Sequence, residues 1–190
     1  HTRVSLGISG MRFMPHEVVG NAPILELLGE RGLWLYAINP HRDADVNHSL
    51  LAWLEKHPNG RVAAPHFVEP QPFRQAVGDV VAARELLAHP RFFIIPSRHG
   101  GASTQPYPHP DLFTWTQEVC DLVTRDRIMF GSEYPVMFWR NEAIEDCRTW
   151  LSAVGVELDE TEREDYLHGN ADRSLFAEEP PPRGDYTIPA

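Results

Sequence analysis

The stretch RIMFGSEYPV, residues Arg127 to Val136, decides how the rest of the chain is read. Arg127 to Phe130 is a short apolar run closed by a glycine, which predicts a buried strand. The strand delivers Glu133 directly into a turn fixed by Pro135. A solvated glutamate is unremarkable on a helix surface. At the C-terminal end of a buried strand, where α/β folds gather their chemistry, a carboxylate is placed to activate water or to bind a metal.

Working outward, four more runs of the same kind precede it: Val4 to Phe13, Leu33 to Ile38, Arg61 to Ala64 and Phe92 to Ile95. Their near-continuous apolarity predicts strands covered on both faces, as in a parallel sheet. Helical patterns lie between them. Pro23 to Gly32 carries proline near its start and glycine at its end. Asp45 to His57 and Phe73 to His89 each stop before a proline, and Pro110 to Thr124 and Asn141 to Ala153 repeat apolar residues at helical spacing. Asp159 to His168 and Asn170 to Phe176 close the series. The repeated β-α order predicts an α/β fold with a parallel sheet. It leaves open a doubly wound sheet or a barrel, and no G-x-G-x-x-G follows a strand to favour dinucleotide binding.

Each strand end offers candidates. The first delivers Arg12, suited to a substrate carboxylate or to polarising a carbonyl. The second offers Tyr36 and Asn39, with His41 beyond. The third delivers His66, a general base or metal ligand by type and position; Glu69 follows in the loop. The fourth delivers Ser97, Arg98 and His99 ahead of two glycines. No G-x-S-x-G elbow accompanies Ser97, which argues against a serine nucleophile. The fifth delivers Glu133.

Bulk properties set limits. A length of 190 residues fits one domain, and the net charge of -10 argues against nucleic acid and anionic membranes. No run reaches a membrane span, and no signal peptide is visible. Cys120 and Cys147 form no C-x-x-C pair and are expected as buried thiols in a reducing cytoplasm. No H-x-H occurs anywhere. The segment 177–190, with three consecutive prolines, is expected as an extended tail separate from the domain at 1–176.

RIMFGSEYP resembles the "R-[IL]-[ML]-F-G-[ST]-D-x-P" segment of the amidohydrolase-related family, and GNADRSLF at Gly169 to Phe176 resembles that family's terminal "G-N-A-x-R-L-F" helix. HPRFFIIPS, AAPHF and GMRF are similar to its seventh, sixth and fourth strands. The resemblance covers residues 4–176. It implies a (β/α)8 TIM barrel of the metal-dependent-hydrolase type, with strands four to eight in this chain. The implied activity is hydrolysis of a lactone or similar ester-like bond. Glu133 would act as the base, with His66 and Arg12 polarising the carbonyl and Tyr36, Asn39, Arg98 and His99 binding substrate.

Three departures stand out. The family's strand-one H-x-H is absent, its strand-eight Asp is Glu133 here, and strand five offers Tyr36 and Asn39 where metal-dependent members place a His. No cofactor is therefore certain. Zinc or manganese remains an option, with His66 and Glu133 as the only ligands visible. The alternatives are a metal-dependent decarboxylase or hydrolase whose other ligands come from strands not in this sequence, and a non-catalytic barrel remnant acting as a binding or assembly subunit. Expected partners are a small molecule, with a carboxylated one as an option, and a second copy or partner chain that completes the barrel.

Overall fold

The computed structural model describes residues 9–66 and 77–175, with side-chain surroundings omitted for 77–80. Four strands form one parallel sheet: β1 (Gly10–Phe13), β2 (Trp34–Ala37), β3 (Arg61–Pro65) and β4 (Phe92–Ile95). They lie side by side in chain order. A doubly wound sheet needs a point where the strand order reverses, and a barrel wall does not. The described strands show no reversal.

The helices are α1 (Pro15–Gly20), α2 (Ala22–Glu30), α3 (Ala44–Lys56), α4 (Val77–Ala88), α5 (His99–Ala102), α6 (Phe113–Leu122), α7 (Ile144–Ala153), α8 (Glu160–Glu164) and α9 (Asn170–Leu175). A π-helical turn at Asp165–Gly169 joins the last two. Asp43 caps α3 by accepting hydrogen bonds from the amides of Asp45 and Val46, satisfying donors that the first turn cannot pair internally. The short helices α1 and α5 are not foreseen from the sequence, and the expected helix from Asn141 begins three residues later, at Ile144. The expected helix from Pro110 opens with a 3-10 turn at Pro110–Leu112 before α6.

The fifth expected strand is corrected. Among the described residues, Arg127 to Phe130 forms one parallel bridge, between Ile94 and Ile128. The amide of Met129 donates to Ile94 O at 2.9 Å, but that of Phe130 donates to Tyr166 O at 2.8 Å. The helical C-terminal segment thus takes the next backbone donor and the ladder stops. The first strand is described only from Gly10. Glu69, the start of the helix expected from Phe73, and the tail at 177–190 lie outside the described residues.

Side chains alternate across the sheet. Leu35, Ala37, Val62, Ala64, Phe92 and Ile94 point to the helical side and join Leu50, Leu54, Leu86, Leu87 and Val119 in the main core. Trp34, Ala63, Phe93 and Met129 form a second cluster on the opposite face, with Ala171 and Leu175 of α9 packed against it. The sheet is therefore covered on both faces, as the apolar runs require, and the terminal helix does part of the covering. Both cysteines are free and buried; burial pushes the Cys120 thiol up to about 12 and that of Cys147 to about 11. Among the described residues no helix is long and apolar enough to cross a membrane.

Candidate active site

The strand ends share an unusual backbone. Asn39 (φ 43°), His66 (φ 62°), Arg98 (φ 66°) and Glu133 (φ 59°) all adopt the left-handed conformation. Asn tolerates it; for His, Arg and Glu it costs on the order of 1 kcal/mol or more each. These four follow β2, β3, β4 and the bridged segment, so the strain collects along one rim of the sheet. Strain retained at successive strand ends marks a site where side-chain direction is fixed by the surrounding fold.

Two of these residues meet. His66 Nε2 lies 3.7 Å from Glu133 Oε1. Both side chains are 17% exposed, enough to admit a substrate and little enough to strengthen charge interactions. The second oxygen of Glu133 accepts a hydrogen bond from the Arg140 guanidinium at 2.6 Å. Arg140 is itself held by Glu142, through Nε to Oε1 and through a longer bond of 3.3 Å to Oε2. The Glu142 hydrogen bond, followed by the Glu133 hydrogen bond, holds the Arg140 pKa above its ordinary value against the effect of burial. On the other side, His66 Nδ1 lies 3.0 Å from Ser97 Oγ, and the His66 amide donates to the same oxygen at 3.2 Å. The line of contacts is Ser97, His66, Glu133, Arg140, Glu142.

Gly131 leaves room for it. A Cβ there would fall 2.5 Å from Ile95 Cγ2 and 3.4 Å from Ser97 Cβ, pressing on the strand end that carries Ser97.

The other sequence candidates stand apart from this line. Arg12 and Tyr36 are register partners on β1 and β2, and Arg12 is exposed. Burial raises the Tyr36 pKa, with Arg61 opposing, so its hydroxyl keeps its proton. Asn39 is buried and opens the turn at Pro40–Arg42. Arg98 is exposed, with its side chain folded over Gly101. No hydrogen bond or ion pair among the described residues joins Arg12, Tyr36 or Arg98 to His66 or Glu133.

His99 is buried instead of open to solvent. Its ring stacks on Trp150 at 3.9 Å, and burial, then the neighbouring His109 and Arg140, lower its pKa to about 3. It lines a cleft of about 260 Å³ together with Tyr107, His109, Arg140, Glu142 and Trp150. Arg140 thus forms a wall of the cleft while binding Glu133.

Sequence reasoning missed Arg140 and Glu142, and weighed Ser97 only as a nucleophile. Arg140 is seven residues beyond Glu133, a spacing that fits no regular element. Only the fold of the intervening 3-10 turn at Val136–Arg140 brings it back.

His66 and Glu133 are two donors of types that bind divalent metals. Among the described residues no group of three or more His, Cys, Asp or Glu converges on one point, and one Glu133 oxygen is already taken by Arg140. These residues do not by themselves build a metal site.

A model of the amidohydrolase family matches residues 3–176. No curated protein matches the chain. Among solved structures, a zinc-bound amidohydrolase from Burkholderia multivorans is 16% identical, with a TM-score of 0.68 over 88% of this chain and 64% of its own. A candidate 2-pyrone-4,6-dicarboxylic acid hydrolase from Acinetobacter baumannii, with citric acid bound, is 15% identical, with a TM-score of 0.68 over 92% of this chain and 67% of its own. A similarly described protein from Pseudomonas putida is 17% identical, with a TM-score of 0.63 over 93% and 66%. The chain spans less than two thirds of the length of the first of these relatives. Identities this low speak for the fold, an α/β architecture with a parallel sheet, and the family match over residues 3–176 covers nearly the whole sequence: the chain belongs to the amidohydrolase family.

Proposed function

We propose that the chain carries the water-activating part of a hydrolase site that opens a lactone or a similar ester-like bond, at the mouth of a (β/α)8 barrel. The observation that carries this reading is the convergence of His66 and Glu133 at 3.7 Å from two separate strand ends. Glu133 removes a proton from water, and the hydroxide adds to the carbonyl carbon. The tetrahedral oxyanion then collapses, the ring C–O bond breaks, and the proton held by Glu133 goes to the leaving alkoxide. The product is a hydroxy acid. Arg140 keeps the carboxylate aimed at the start of the cycle.

Arg12 and Tyr36 offer an exposed cation and a hydroxyl to the substrate; Arg98 and Asn39 complete its surroundings. The relatives described as candidate 2-pyrone-4,6-dicarboxylic acid hydrolases support a cyclic ester carrying carboxylates, for which Arg12 and Arg98 are the matching cations. The test is a panel of lactones, with and without carboxylates, including 2-pyrone-4,6-dicarboxylate, read by acid release. Hydrolysis of at least one is expected, and silence across the panel counts against the reading.

The zinc-bound relative favours a second reading, in which a divalent ion is held by His66 and Glu133 with further ligands from outside the described residues. Stoichiometric zinc in the purified protein, with activity lost on chelation and restored by zinc, distinguishes it.

A further inference from the structure

We infer that Ser97 is a positioning residue. Its hydroxyl fixes His66 as the Nδ1–H tautomer and presents the Nε2 lone pair toward Glu133. The protons around one oxygen lead to this tautomer. Ser97 Oγ has one proton to donate and two lone pairs to accept with. It lies 3.3 Å from Ile95 O, 3.2 Å from the His66 amide and 3.0 Å from His66 Nδ1. The amide can only donate, so it takes one lone pair. The Ile95 carbonyl can only accept, so it takes the hydroxyl proton. Nδ1 must then donate to the remaining lone pair. For a neutral ring this is the arrangement that satisfies all three contacts, and Ser97 is buried, 3% exposed, so an unsatisfied contact there carries a real penalty.

The consequence reaches the chemistry. A neutral ring with its proton on Nδ1 carries an acceptor at Nε2. Facing it at 3.7 Å is Glu133 Oε1, also an acceptor. Two acceptors at that separation do not bond each other, and a donor placed between them would serve both. A water molecule that gives one hydrogen to each fits, and that water is the nucleophile of the proposed hydrolysis. His66 therefore holds the water rather than polarising the carbonyl, which would need a donor at Nε2. Ser97 acts through His66 and touches no reacting atom.

The inference on the tautomer rests on hydrogen bonding alone, while its catalytic consequence rests on the proposed function. Nitrogen-15 NMR of the ring nitrogens in histidine-labelled protein separates them. The His66 signals are assigned by their loss in His66→Gln, and the spectrum is read above the pH at which the ring is charged. In the native protein Nδ1 is expected to be pyrrole-like and Nε2 pyridine-like. In Ser97→Ala the proton is expected to shift toward Nε2, and in Ser97→Thr, which keeps the hydroxyl, the native pattern should return. A pyrrole-like Nε2 in the native protein overturns the proposal without Ser97→Ala having to fold, as does an unchanged tautomer in a folded Ser97→Ala. If the panel yields a substrate, Ser97→Ala should lower kcat about tenfold or more with little change in KM; an unchanged kcat beside a changed tautomer would reject only the water-holding role.

Discussion

At the scale of single residues, the site consists of groups whose directions are set by backbone they would not choose. His66 and Glu133 both sit in the left-handed region, and each is anchored by a neighbour that has no obvious mark in the sequence. Glu142 shows how such anchoring can be tested. It does not touch Glu133, but it fixes Arg140, which does. Glu142→Gln removes the charge that holds the guanidinium. Its expected effect is a fall in kcat of about tenfold with KM nearly unchanged, measured on any substrate the panel yields. The placement of His66 and Glu133 beyond strand ends was legible in the sequence because a strand end fixes where the next side chain goes. Ser97, Arg140 and Glu142 were not legible as partners, because their contacts depend on how loops close between strands, and periodicity carries no record of that. His99 was expected at the substrate from its place after the fourth strand; α5 turns its ring inward onto Trp150.

At the scale of elements, the terminal G-N-A-D-R motif has a structural explanation. The Asn170 amide donates to Arg125 O at 2.8 Å and to Ile128 O at 2.9 Å, which secures the bridged segment that leads to Glu133. Arg173 in turn donates to Asn170 Oδ1 at 2.7 Å and to Asp165. On the other flank, one nitrogen of Arg127 donates to the carbonyls of Leu87, His89 and Phe92, tying the same segment to the end of α4 and the start of β4. A segment with a single ladder bridge is thus held by side chains in place of backbone pairing. Asn170→Ala leaves two carbonyls without their donor and is expected to destabilise the fold by about 2–3 kcal/mol, read from the urea midpoint at constant slope. Asn170→Leu, which fills the space but cannot donate, should do no better. The sequence predicted a strand at Arg127 to Phe130 because its apolarity is that of a buried strand. The burial is real for Ile128 and Met129, and only the pairing is lost, to Tyr166 O.

At the scale of the whole molecule, the parallel sheet was anticipated from the β-α alternation, while a barrel was implied by the resemblance alone. Buried titratable groups make stability depend on acidity in a direction that can be worked out. A histidine in the unfolded chain takes up its proton near pH 6.5, whereas folded His99 does so only near pH 3. Between these values the unfolded state binds more protons, so stability is full above about pH 6.5 and is lost progressively as pH falls toward 3. His89, whose pKa is also lowered by burial, adds to the same trend. His168, exposed and paired with Glu164, has a raised pKa and works in the opposite sense. From pH 7 to pH 5 the His99 contribution is about 2 kcal/mol. Urea unfolding of native protein and His99→Phe at both pH values should show a smaller drop in the variant, whose ring can still stack on Trp150; equal drops would remove His99 as the cause.

The account stands on Glu133 as the base that activates water, and turnover of Glu133→Gln on the first substrate found is the measurement that tests it most directly. Glutamine keeps the shape and cannot take the proton, so a loss of about a hundredfold or more in kcat is predicted with the fold intact. Native turnover in that variant would contradict the account.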